Sequence, residues 1–166
     1  MILDNKNQND IINAELINSY DIEYVFNDKP LNRITNKPKL ENKSELLINL
    51  KEKILNIKNC KLKNYANKLV FSDGNSKSSI MIVGEGPGQK EDEIGKPFVG
   101  DAGTLLNKML SAINLSRNNT YITNVVNYRP PGNRKPEPSE ITRYSFFLKE
   151  HISIIDPKIL ILMGST

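Results

Sequence analysis

Apolar residues recur along this chain with two periods, and the changes between them mark its elements. From Ser44 onward Leu47, Leu50, Ile54 and Ile57 follow helical spacing, with Ser44 placed to cap the first turn. Ile80-Met81-Ile82-Val83 is a continuous apolar run short enough for a buried strand, and Asp101-Ala102-Gly103-Thr104-Leu105-Leu106 opens a helix after it. Thr120 to Val126 alternates β-branched residues and predicts a second strand. Ile141, Tyr144, Leu148, Ile152 and Ile155 return to helical spacing as an amphipathic helix. Ile159 to Met163 reads as a third strand, and Gly164-Ser165-Thr166 as the start of another helix. The connections are long enough for right-handed crossovers, so the order predicts an α/β fold. We expect a three-layer αβα sandwich with a short, mainly parallel central sheet. Ligands of such sheets bind at the carboxyl ends of the strands.

Before Ser44 the pattern loosens. Asparagine and lysine are frequent, glycine is absent, and Pro30 and Pro38 bound a linker-like stretch. One short helix, Asp10 to Tyr20, is expected there. Residues 1–44 therefore read as an extension, partly helical or disordered, and residues 45–166 as the folded domain.

The richest chemistry lies between the first strand and the next helix. Gly84-Glu85-Gly86-Pro87-Gly88, Glu91-Asp92 and Gly95-Lys96-Pro97-Phe98-Val99-Gly100 read as one long loop. A glycine-rich phosphate cradle is the first alternative, but Pro87 removes an N–H donor, Glu85 repels an anion, and the Gly-Lys-Ser/Thr ending is missing. What remains is a pinned backbone presenting Glu85, Glu91 and the Phe98 ring, which suits a small uncharged planar ligand. Solvated acids on an ordinary strand-to-helix turn are the plainer reading. Asn124 stands near the end of the second strand, on the same rim. Its amide offers one donor and one acceptor, a match for O4 and N3–H of uracil and a mismatch for cytosine, unless it merely caps the strand end. Arg129-Pro130-Pro131-Gly132-Asn133-Arg134 follows, a proline-stiffened loop suited to backbone phosphates.

Four motifs in this order, GEGPGxxED, GxPFVGxAGxLL, YITNVV and RPPGNRxPxPxE, resemble the type-4 uracil-DNA glycosylases of bacteria and archaea. The resemblance runs from about Asn59 to Thr166. It implies a monofunctional hydrolase of base excision repair, acting on the N-glycosyl bond of uracil flipped out of single- or double-stranded DNA. It makes Phe98 the ring stacked on the base and Asn124 the reader of its edge. Gly84, Gly86, Pro87 and Gly88 shape the pocket beside Glu85, Glu91 positions or activates water, and Arg129, Pro130, Pro131, Asn133 and Arg134 meet the DNA. No lysine is expected to act as a Schiff-base nucleophile.

The chain departs from that family in two respects. Well-studied members hold a [4Fe-4S] cluster on four cysteines, whereas this chain has one. Cys60 matches one ligand, while Lys63, Tyr128 and Tyr144 stand where the others belong, so no cofactor and no metal are expected. Packing by the two tyrosines is expected to replace the cluster's staple. The family also continues into a further strand and a His-Pro loop, so the resemblance implies a domain incomplete at its C-terminus, with the third strand left as a sheet edge. His151, the only histidine, falls on the amphipathic helix and reads as structural. The alternative to an active enzyme is therefore an inactive remnant that still binds DNA. A nucleotide-binding enzyme is the third reading.

Composition adds little. Net charge is +4, which favours a polyanion partner only weakly because the lysines are scattered. The apolar runs are too short for a bilayer, and the start lacks a signal-peptide pattern, so a cytoplasmic, nucleoid-associated monomer is expected.

Overall fold

The computed structural model describes residues 43–164. The expected helix at 10–20 and nearly all of the expected extension lie outside the described residues. Helix α1, Lys43–Leu55, buries Leu50 and Ile54 at the predicted spacing. It already includes Lys43, so Ser44 lies within its first turn rather than capping it. Lys43 Nζ instead donates to the Ile155 carbonyl at 2.7 Å. A short α2, Lys61–Tyr65, leads into strand β1, Asp73–Gly74.

The central units follow in the expected order. Strand β2, Ile80–Gly84, is followed by α3, Gln89–Ile94, and α4, Asp101–Ala112. Strand β3, Tyr121–Asn124, precedes α5, Pro138–Ile155, and β4, Ile159–Met163. The sheet order is β1-β3-β2-β4, with β2 parallel to both β3 and β4 and β1 antiparallel to β3. The mainly parallel sheet is thus present. Its antiparallel edge is only two residues long, too short to leave a periodic signal.

Side-chain alternation along β2 assigns the layers. Met81 and Val83 pack with Tyr121 and Ile155 towards α5, while Ile82 packs with Ile122, Leu106 and Leu110 of α4. Leu50 and Ile54 of α1 share a core with Tyr144 and Ile154 of α5. Helices cover both faces, which gives the three-layer αβα sandwich.

Two local expectations need correction. The segment from Gly84 to Gly100 is not an uninterrupted loop, because α3 occupies its middle. Asp92 and Glu91 bury inside that helix, which ends at Gly95 in the left-handed region, φ 88°. The second strand ends at Asn124 rather than Val126. Pairing nevertheless continues, because Val125 N–H donates to the Gly84 carbonyl at 2.8 Å and Val126 N–H to the Glu85 carbonyl at 3.2 Å. Strand β4 is an outer edge, with Ile159, Leu160 and Leu162 exposed. No helix among the described residues is long and apolar enough to cross a membrane.

Candidate active site

Gly84 closes β2 opposite Asn124 of β3 on one side and Met163 of β4 on the other. A Cβ built on Gly84 lies 2.5 Å from Asn124 Oδ1 and 2.6 Å from Phe98 Cζ, so any other residue there would displace the amide or the ring. The ring and the amide therefore meet over one backbone position. Both line a half-open cavity of about 240 Å³ together with Glu85, Gly86, Gly88, Glu91, Gly100 and Met163. That volume lies below the range for drug-sized ligands and suits something smaller. Asn124 is 4 % exposed, and its amide has no hydrogen-bond partner among the described residues. The amide atoms face the cavity, where water or a ligand can complete their hydrogen bonds.

The two carboxylates have different surroundings. Glu91 accepts three backbone donors: Gly88 N–H at 3.1 Å on Oε2, and Val99 and Gly100 N–H at 2.8 and 2.7 Å on Oε1. It ties the glycine loop to the Phe98 loop. Neighbouring Asp92 does the same for a third segment, accepting Asn67 N–H at 2.9 Å, Lys68 N–H at 3.1 Å and the Asn67 amide at 2.8 Å. Glu85 lines the cavity with no side-chain partner among the described residues, its Oε2 close to Gly164 at the end of β4. Glu85 is therefore the carboxylate left available for chemistry, and Glu91 the one engaged in holding the loops. The two lysines of this segment are ion-paired, Lys90 with Asp101 at 2.9 Å and Lys96 with Asp73 at 3.2 Å. Neither lines the cavity.

The arginine loop borders a second depression, formed by Glu85, Gly86, Pro87, Gly88, Pro130, Asn133 and Arg134. Its cations are partly committed within the protein. Arg134 makes a two-pronged pair with Glu140 at 2.7 and 2.8 Å, and this guanidinium holds the Glu140 carboxyl below the usual range. Arg129 Nε donates to Asn133 Oδ1 at 2.7 Å across a tight turn in which Gly132 and Asn133 are left-handed, φ 63° and 57°.

A four-thiolate iron–sulfur cluster does not fit the residues present. Cys60 is buried, and its Sγ lies 3.3 Å from the Tyr144 hydroxyl. Burial, then the contact with Cys60, pushes the Tyr144 hydroxyl well above its ordinary pKa. The buried Tyr128 hydroxyl, its pKa raised by burial and by Cys60, has no partner among the described residues. Lys63 Nζ donates to the Leu55 carbonyl. Cys60, Tyr128 and Tyr144 fill a core with α1 and α5, and Lys63 lies outside it. No group of three or more His, Cys, Asp or Glu side chains able to hold a metal occurs among the described residues.

His151 is 2 % exposed, stacks on Phe71 at 4.7 Å and lies 2.7 Å from the Tyr121 hydroxyl, beneath the sheet and away from the rim. Burial pushes its pKa down to about 4. Two residues of consequence left no mark in the pattern: Asp92, visible only as a neighbour of Glu91, and Arg117, which touches the Phe98 loop from 19 residues away.

The fold and the rim together define an αβα protein with a small-ligand cleft at the carboxyl ends of its parallel strands. The sequence model of the Uracil DNA glycosylase superfamily matches residues 71–166. The chain belongs to that superfamily. It is similar to the type-4 uracil-DNA glycosylase of Sulfurisphaera tokodaii, 47 % identical over 116 residues covering 69 % of this chain and 53 % of the relative. The Thermotoga maritima type-4 enzyme is 40 % identical over 124 residues, 75 % of this chain and 65 % of its own length. The enzyme of Saccharolobus solfataricus is 48 % identical over 106 residues, 63 % of this chain and 49 % of its own. The chain thus spans between half and two thirds of the length of these relatives.

Proposed function

We propose that the protein is a uracil-DNA glycosylase, a hydrolase that removes flipped-out uracil from DNA at the rim of β2 and β3 in base excision repair. The observation that carries this reading is the meeting of Phe98 and Asn124 over Gly84. Phe98 stacks on the extruded base, which offsets part of the few kcal/mol needed to unstack it. Asn124 donates to O4 and accepts from N3–H. In the reaction the bond between the base nitrogen and C1′ breaks through an oxocarbenium-like sugar, water adds to C1′, and uracil departs as an anion that then takes a proton. The free carboxylate of Glu85 faces the developing positive charge and orients the water. Glu91 keeps the two loops in register. With Lys90 and Lys96 both paired outside the cavity, the step is hydrolytic, without a lysine adduct.

The arginine loop contacts the DNA backbone, and the protein works as a cytoplasmic monomer without an iron–sulfur cluster. Its staple is the packing of Cys60, Tyr128 and Tyr144. Iron and acid-labile sulfide assays on anaerobically purified protein test this: neither is expected, and stoichiometric iron contradicts it.

One observation favours a second reading, uracil recognition without excision. Among the described residues no histidine approaches the cavity to stabilise the departing base, since His151 is buried beneath the sheet. Release of free uracil from a labelled single strand separates the two. The glycosylase reading predicts release by the wild type and a loss of at least tenfold in Glu85→Gln. Absence of release, with retained preference for uracil-containing strands, supports the second.

A further inference from the structure

Phe98 has a left-handed backbone, φ 53°, which is uncommon for a bulky aromatic residue and persists only where its surroundings enforce it. Two features enforce it here. On one side the loop lies directly on α4, where a Cβ on Gly103 would stand 1.8 Å from the Phe98 carbonyl oxygen, so only glycine permits the approach. On the other side the Arg117 guanidinium donates to the Pro97 carbonyl at 2.6 Å and to the Phe98 carbonyl at 2.9 Å. Arg117 is fixed in turn by Asp73, whose Oδ2 accepts its Nε–H at 2.7 Å, and by the Asn107 side chain at 3.4 Å. Asp73 also holds Lys96, two residues before the ring. The arginine side chain is 21 % exposed and does not line the cavity.

We propose that Arg117 is a positioning residue for base recognition: by bridging the Pro97 and Phe98 carbonyls to Asp73, it holds the Phe98 ring over Gly84 in the pose that stacks on the base. This rests on the stacking reading of Phe98 given above. Arg117 touches no base. It spends its planar fork on carbonyls that point the same way, a task one lysine ammonium cannot duplicate. The short β1 strand, otherwise a minor edge, supplies the carboxylate that anchors it.

The test compares wild type, Phe98→Ala, Arg117→Ala, Arg117→Lys and the double Phe98→Ala/Arg117→Ala variant. Each is titrated with a single strand carrying one 2′-fluoro-deoxyuridine, whose glycosidic bond resists hydrolysis, and with the same strand carrying an abasic analogue. Loss of stacking in Phe98→Ala is expected to cost about tenfold on the uracil strand. Arg117→Ala is expected to lose a similar factor on that strand, to leave abasic-strand affinity and its salt dependence unchanged, and to add nothing to Phe98→Ala in the double variant. Arg117→Lys is expected to recover part of the loss, and it carries the comparison if Arg117→Ala does not fold. A normal Arg117→Ala beside a weakened Phe98→Ala overturns the inference and leaves the stacking reading intact. Equal losses on both strands, or additive losses in the double variant, also overturn it. A Phe98→Ala protein that binds uracil normally overturns the stacking reading itself.

Discussion

Most of the specificity proposed for this protein sits on two side chains and one missing one. Gly84 has no Cβ because Asn124 and Phe98 occupy the place one would take. Gly84→Ala is therefore expected to abolish uracil binding while the circular dichroism spectrum stays native, since the added methyl displaces the ring or the amide rather than the sheet. Glu91 makes a different prediction. Its three backbone donors are charge-assisted, and leaving them unpaired costs about 2–4 kcal/mol even after partial compensation. Thermal unfolding of Glu91→Ala should show a loss of that order, with Glu91→Gln intermediate because one oxygen remains to accept. A Glu91→Ala protein as stable as wild type that lacks activity would instead make Glu91 a reacting group. The resemblance gives the water to Glu91 and the pocket wall to Glu85; what argues for exchanging those roles is the set of N–H groups that the Phe98 loop brings back across α3 to Glu91.

Elements were legible where apolar spacing is regular and obscure where local contacts decide. Strands β2 and β4 and helix α5 followed from runs such as Ile80-Met81-Ile82-Val83 and from the Tyr144, Leu148, Ile155 stripe, since burial against a sheet imposes those periods. Helix α3 was hidden inside a loop because Gly88 and Gly95 bound only a few residues, two of them buried acids. Strand β1 exists through pairing with β3 alone. Helix α5 also carries a pH dependence. Tyr121 donates to Ser72 Oγ at 2.8 Å, so the neutral His151 ring donates its Nε2–H to the Tyr121 oxygen. Folding lowers the His151 pKa from 6.5 to about 4, so the unfolded chain binds the extra proton first. This group's contribution is complete above pH 6.5, is lost as pH falls towards about 4, and is constant below that. The loss amounts to roughly 3 kcal/mol. Urea unfolding between pH 7 and 4 should show it in wild type and show a flatter profile in His151→Phe.

At the scale of the whole molecule, the sheet gathers at one rim groups that are far apart in the chain, Phe98 from the loop after α3 and Asn124 from the end of β3. The rim's position was legible in the strand order, because parallel neighbours direct their carboxyl ends the same way. The meeting of ring and amide was expected from the resemblance, but the contacts of Gly103 and Arg117 with the left-handed Phe98 backbone left no mark in the sequence pattern. The most direct measurement is the affinity of the protein for a single strand carrying one 2′-fluoro-deoxyuridine, compared with the same strand carrying 2′-fluoro-deoxycytidine, whose N4–H₂ and N3 reverse the donor and acceptor that Asn124 meets. The account predicts tighter binding of the uracil strand by about tenfold or more, with the preference abolished in Asn124→Ala and affinity for the uracil strand weakened in Phe98→Ala. Equal affinity of the wild type for both strands, or an undiminished preference in Asn124→Ala, contradicts it.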